Sequence, residues 1–114
     1  MIDTRGDALS QNTCRDRLSS SHRGFLACTE SGLPAVLPVA LEVDRGQLLV
    51  VSAGRDLGGQ VVALSVGRHG FRYCRGWTVI ARGRLGPEVD GAYALEIATL
   101  DGTTFINPRP RRTP

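Results

Sequence analysis

The sequence contains no lysine and few aromatic residues. All fourteen of its basic residues are arginines, and its rings come from one tryptophan, two tyrosines and three phenylalanines. Barrels that bind single-stranded nucleic acid stack bases on exposed aromatic rings. In this domain, the core would bury at least half of the six aromatic residues. The composition therefore argues against a nucleic-acid partner, although the sequence pI is near 9.1 and five arginines lie between residues 68 and 84.

Cysteines are also few, and long apolar runs are absent. Cys14, Cys28 and Cys74 form no C-x-x-C pair, and this spacing argues against a disulfide framework or a zinc site. We therefore expect reduced thiols and a cytoplasmic location. No segment approaches the roughly 20 apolar residues that cross a bilayer, and the first 13 residues lack an apolar signal core. We predict no membrane partner.

Motifs for catalysis by the protein's own side chains are missing as well. The sequence has no G-x-S-x-G elbow, no P-loop, no H-E-x-x-H and no evident pair of carboxylates at catalytic spacing. His22 and His69 have no partner at metal-ligand spacing, so we predict no metal site. Catalytic residues are unknown at this point, and an enzyme of this sequence would need a bound cofactor to carry its chemistry.

The length and the amino-acid composition of the chain predict one globular domain. It has 114 residues, of which 41% are hydrophobic and 22% charged, close to the average for globular proteins. We place the domain at residues 10–106. The polar residues 1–9 are predicted to be a flexible N-terminus, and the proline- and arginine-rich residues 107–114 a flexible basic tail.

Secondary-structure signals are mostly those of short strands. A short helix is predicted over 10–18, where Ser10 supplies an N-cap. Pro38 falls inside a predicted strand and therefore belongs at an edge or a bulge, while the strand at 47–52 alternates little and is expected to be buried on both sides. Residues 67–75 are either a distorted strand or a hairpin loop. Strands are predicted at 24–29, 35–43, 47–52, 61–66, 77–85, 92–99 and 103–106, with a hairpin turn at 101–102.

Six or seven short strands with frequent turns predict an all-β barrel or sandwich. Five segments in order then resemble one family, the flavin-binding split barrels similar to pyridoxamine 5'-phosphate oxidase. They are G-F-L-A at 24–27, L-P-A-V-L-P-V at 33–39, S-A-G-R at 52–55, V-A-L-S-V at 62–66 and G-W-T-V-I-A-R-G at 76–83. The resemblance spans about residues 10–86. It implies a mainly β protein: a six- to seven-stranded antiparallel split β-barrel with one or two short helices.

The resemblance also implies a function. Such proteins are homodimers that bind FMN, or a deazaflavin relative, in clefts between the subunits and act on a small-molecule substrate. A haem-handling variant and a barrel without a cofactor are the alternatives. The main alternative function is a degenerate, non-catalytic dimer that serves as a binding or structural module.

Site residues follow from the same resemblance. Ser52 and Arg55 occupy positions where a hydroxyl and a basic side chain meet the cofactor phosphate. Residues 38–40 would lie along the flavin ring, and Trp77 with Thr78 would approach it from the partner chain. The predicted cofactor-binding residues are Pro38, Val39, Ala40, Ser52, Arg55, Trp77 and Thr78. Two of them have simpler interpretations: Trp77 as an apolar anchor of the barrel, and Arg55 as a solvated charge paired with Asp56.

Overall fold

A computed structural model describes residues 5–52, 54–70 and 75–106. The described part holds one helix and seven strands. The elements are β1 (Arg5–Ala8), α1 (Gln11–Ser19), β2 (Arg23–Glu30), β3 (Leu33–Asp44), β4 (Gln47–Val51), β5 (Val61–Gly70), β6 (Arg75–Leu85) and β7 (Ala92–Ile106). The strands pair antiparallel in the order β1-β7-β4-β3-β2-β5-β6, and β6 also pairs with β7, so that β2 to β7 close into a ring of six.

The barrel interior is filled by side chains that alternate along each strand. On β3, for example, Leu37, Val39 and Leu41 are buried while the residues between them are exposed. The same period of two on β2, β5 and β6 gives each strand an inner and an outer face. The antiparallel split β-barrel predicted from the sequence is confirmed.

Helix α1 covers one side of the barrel. It begins where expected, because the Ser10 side chain accepts a hydrogen bond of 3.2 Å from the backbone N–H of Thr13, which satisfies one free donor of the first turn. Cys14 and Leu18 are its buried residues and join the barrel core. Among the described residues, no helix is long and apolar enough to cross a membrane.

Three sequence predictions need correction or completion at the strands. The first nine residues were assigned to a flexible N-terminus, but residues 5–8 form β1 and pair with β7. Burial on both faces is predicted for β4; its inner face, Leu48 and Val50, is buried, whereas Leu49 and Val51 on the other face are half-buried. Residues 67–70 extend β5, and Gly70 pairs with Arg75 of β6, so these residues are strand, while residues 71–74 lie outside the described residues. The basic tail at 107–114 lies outside the described residues.

The predicted hairpin turn at 101–102 was wrong. Asp101 and Gly102 lie inside the continuous strand β7, opposite Ile80 and Val79 of β6. A Cβ atom on Gly102 would lie 2.6 Å from the Sγ atom of Cys14. The glycine is therefore required by the close approach of α1 to the strand, and pairing with β6 overrides the local turn signal.

Strands β6 and β7 slip by one residue near their middle. Arg82 pairs with Thr99, whereas Gly83 pairs with Ile97, so Ala98 has no partner on β6. Such a bulge bends the strand that carries the extra residue. It also brings the β7 backbone against Gly83, where a Cβ atom would lie 1.9 Å from the carbonyl oxygen of Glu96.

Candidate ligand site

A cleft of about 540 Å³ opens on the outer face of β2, β3 and β5. Its position follows from strand register, because Phe25 of β2 pairs with Pro38 on one side and Ser65 on the other. These three residues point outward, since their neighbours along each strand are buried. We call this feature the outer cleft; it is lined by Arg23, Gly24, Phe25, Pro38, Val39, Ala40, Ser65 and Gly67.

One border of the outer cleft is the unpaired part of β3. Strand β4 pairs with β3 only from Ala40 to Asp44, so residues 33–39 pair with β2 alone. The backbone N–H of Leu41 donates to the carbonyl of His22 in the β2 direction. The N–H and C=O groups of successive residues point to opposite sides of an antiparallel strand. The backbone groups of residues 34, 36 and 38 therefore face the open edge.

Prolines occupy two of these three edge positions. Pro34 and Pro38 have no N–H, so Val36 supplies the remaining backbone donor there, while all three residues supply carbonyl acceptors. Of the two positions predicted for Pro38, an edge or a bulge, the structure shows the edge. An edge that presents carbonyls beside an open apolar cleft can accept hydrogen bonds from a planar ligand bound against it.

Ser52 lies where β3 and β4 separate. Val51, the last residue of β4, pairs with Ala40, and Ser52 follows directly with its backbone N–H donating to the carbonyl of Gly91 at 3.3 Å. It is half-buried. The structure thus brings Pro38, Val39 and Ala40 together in the outer cleft, whereas Ser52 follows β4 and is not one of the residues that line it.

Arg55 lies apart from this group. Its guanidinium forms an ion pair with Glu30 at the end of β2, and both side chains are partly exposed. Its carbonyl accepts a hydrogen bond from the hydroxyl of Tyr93, which also accepts from the backbone N–H of Leu57 at 3.3 Å. Arg55 is therefore held at the hairpin between β2 and β3, and the expected pairing with Asp56 is replaced by pairing with Glu30.

Trp77 and Thr78 lie on opposite faces of β6. Trp77 packs against the barrel core, and the guanidinium of Arg17 lies 4.9 Å from its ring centroid. Within one chain Trp77 is thus a partly buried anchor under α1. Thr78 pairs with Gly67 and so lies on the outer face, next to the cleft lining. Contact between Trp77 and the ligand of a second chain stays a prediction.

Sequence reasoning missed five of the eight lining residues as site residues: Arg23, Gly24, Phe25, Ser65 and Gly67. The alternation of side-chain direction along β2 could have indicated that Phe25 faces outward. Phe25 is 58% exposed although the strand is apolar. Arg23 and Ser65 carried no local signal, because their place in the cleft depends on pairing between three strands.

A second depression of about 470 Å³ lies between α1 and strands β3, β4 and β7. Its lining is largely aliphatic, with Gln11 and Arg15 at the helix side. The Gln11 amide donates to the carbonyl of Leu100 at 2.6 Å, which anchors α1 across it. No group of three His, Cys, Asp or Glu side chains that could hold a metal occurs within residues 5–52, 54–70 and 75–106.

No family model and no curated protein matches the sequence. Solved structures do match. An FAD-binding protein from Mycobacterium smegmatis is similar with a TM-score of 0.73 and 21% identity, over 89% of this chain and 99% of that one. An FAD-binding protein from Mesorhizobium loti is similar with a TM-score of 0.69 and 18% identity, over 90% and 98% of the two chains.

A candidate pyridoxamine 5'-phosphate oxidase from Corynebacterium glutamicum is also similar, with a TM-score of 0.68 and 16% identity, over 90% of this chain and 99% of that one. At these identities the likeness shows a shared fold. The match covers nearly the full length of each of the three proteins, so the common part is the whole barrel.

Proposed function

We propose that this chain, which has the split-barrel fold of the pyridoxamine 5'-phosphate oxidase-like proteins, binds a flavin in the outer cleft. The observation that carries the proposal is the cleft itself: an apolar hollow beside the proline-bearing, unpaired edge of β3. Its volume of about 540 Å³ falls within the range of roughly 300–1,000 Å³ usual for small-molecule sites. Two neighbours with the same fold are FAD-binding proteins.

The residues of the cleft fit the parts of a flavin. Phe25 and Pro38 offer an apolar surface for the ring system, and the edge carbonyls of residues 36 and 38 are placed to accept its imide N–H. Ser52, which the resemblance assigns to the phosphate, follows Val51, the partner of Ala40. None of the eight lining residues is a histidine, cysteine, methionine or tyrosine, which are the usual axial ligands of haem iron, so the donor set of the cleft favours a flavin over haem.

We further propose FMN as the cofactor, with a deazaflavin as the alternative, and an oxidoreductase acting on a small molecule. A bound flavin would supply the hydride or electron chemistry. The chain's own contribution is to hold the ring against β3 and to limit water at that face. The cytoplasm stays the proposed compartment, since Cys14 and Cys28 are free thiols.

A second candidate function is a binding or structural module without catalysis. The observation in its favour is the charge near Arg55, where Glu30 neutralises the guanidinium and Asp56 follows as an exposed acid. A phosphate dianion would be repelled by this pair of carboxylates. The two functions differ in whether the protein retains a flavin.

Absorbance spectroscopy separates them. We expect purified protein, incubated with excess FMN and desalted, to keep flavin bands at about one cofactor per chain, because the cleft is formed without further folding. FAD and a deazaflavin are tested in parallel. A protein that stays colourless with all three cofactors would contradict flavin binding and support the binding-module function.

We also propose a homodimer that buries an apolar outer patch, defined as Phe25, Ala27, Val36, Val61 and Ala63. These residues lie on the outer face of β2, β3 and β5, where Ala27 pairs with both Val36 and Ala63. Val36 and Val61 are each 68% exposed. A contiguous exposed apolar surface of this kind usually marks an interface, and it adjoins the outer cleft, so a partner there would cover the bound ring.

Val36→Asp is expected to convert the dimer into a monomer of 12.2 kDa, because a carboxylate within the buried patch would lose its water on association. Sedimentation velocity at micromolar concentration measures the change. Val89→Asp is the matched control, since Val89 is 66% exposed but lies outside the patch, before β7. Wild type and Val36→Asp sedimenting alike would rule out this interface.

A further inference from the structure

We propose that Arg23 recognises the phosphate of the bound flavin, so that the phosphate lies at the Ala40 end of the outer cleft and not beside Arg55. This inference rests on the proposed flavin function and adds to it. Arg23 lines the outer cleft, whereas Arg55 does not. The family resemblance had pointed to Arg55 for this task.

The first support is the position of Arg23. It is the first residue of β2 and pairs with Ala40 of β3, which in turn pairs with Val51, the residue before Ser52. The guanidinium of Arg23 therefore belongs to the Ala40 end of the cleft. It offers the bidentate cation that a phosphate group takes from a protein.

The second support is the free state of the Arg23 guanidinium. Among the described residues it has no hydrogen bond, ion pair or ring contact, and its side chain is exposed. Glu42, the next acidic residue on the outer face of β3, lies beyond the cleft lining and makes no ion pair with it. All the donors of Arg23 are therefore available to a ligand.

The third support is the charge at the other end. Arg55 is paired with Glu30, and Asp56 is exposed beside it, which leaves one positive and two negative side chains there. Glu30 stands seven residues from Arg23 along β2, or about 23 Å at roughly 3.3 Å per residue. A dianion would be attracted at the Arg23 end and repelled at the Glu30 end.

Comparing FMN with riboflavin tests this directly, because the two ligands share the ring and differ by the phosphate. For Arg23→Gln in the full chain, we expect the Kd of FMN to rise at least tenfold and that of riboflavin to change less than twofold. Arg55→Gln tests the competing phosphate site and should change both less than threefold. Quenching of flavin fluorescence on titration with protein gives both constants.

Arg23→Lys provides a second variant that keeps the charge and should recover part of the FMN affinity. Raising the salt concentration should weaken FMN binding to the wild type more than to Arg23→Gln. Equal losses for FMN and riboflavin, or a phosphate-selective loss in Arg55→Gln instead, would overturn the assignment while leaving flavin binding intact. A wild type that binds neither ligand would overturn the proposed function, and this inference with it.

Discussion

Gly83→Ala is expected to lower the free energy of unfolding by about 3 kcal/mol, at the upper end of the cost of overpacking. The added Cβ would lie 1.9 Å from the carbonyl oxygen of Glu96 and 2.8 Å from its carbonyl carbon. Both atoms belong to the backbone, so no side-chain rotation relieves the contact. The bulge at Ala98 would have to shift, and with it the pairing that closes β6 onto β7.

Gly86→Ala is the matched control for this experiment. Gly86 follows the same strand, and a Cβ there would lie 3.6 Å from the carbonyl oxygen of Ala94, an ordinary contact. Urea unfolding followed by tryptophan fluorescence measures both variants, because Trp77 is the one tryptophan of the sequence. Equal midpoints for the two variants would show that the β6–β7 bulge is not fixed by Gly83.

The second large effect is expected at Leu57, which closes one end of the barrel. Its side chain is 1% exposed although it belongs to the connection between β4 and β5. The loop is fastened around it: Gln60 donates to the carbonyl of Leu57 at 3.2 Å, and Gly59 donates to that of Leu85 at 2.8 Å. Leu57→Ala should therefore leave a cavity and cost about 3 kcal/mol of stability.

Leu33→Ala removes the same atoms from a site that is 69% exposed, and we expect it to change stability by less than about 0.5 kcal/mol. Chemical unfolding of both variants at equal protein concentration measures the difference. If Leu57→Ala is as stable as Leu33→Ala, the loop does not close the barrel end and its burial contributes little.

The strands were readable from the sequence because each carries its own signal. Turn residues separate them, and alternation along β2 and β3 sets their faces. The position of Pro38 at an edge followed from its missing N–H alone. The error at Asp101 and Gly102 arose because a turn signal is local, whereas the extension of β7 depends on pairing with β6.

The site was harder to predict for a related reason. Pro38, Val39 and Ala40 are contiguous in the sequence and were found together, but Arg23 and Ser65 reach the cleft only through the register of β2 against β3 and β5. The pairing of Arg55 with Glu30 joins residues 25 positions apart, so the neighbouring Asp56 was the natural but incorrect choice. Side-chain partners across a barrel depend on the closed fold.

The two prolines on the edge of β3 bear on how this chain avoids aggregation. Residues 33–43 read L-P-A-V-L-P-V-A-L-E-V, a β-prone stretch of low charge that would otherwise template growth of cross-β assemblies. With Pro34 and Pro38 at edge positions, an incoming strand finds too few donors to extend the sheet. Substituting both prolines would thus promote aggregation during synthesis and refolding, even if the folded barrel tolerates the change.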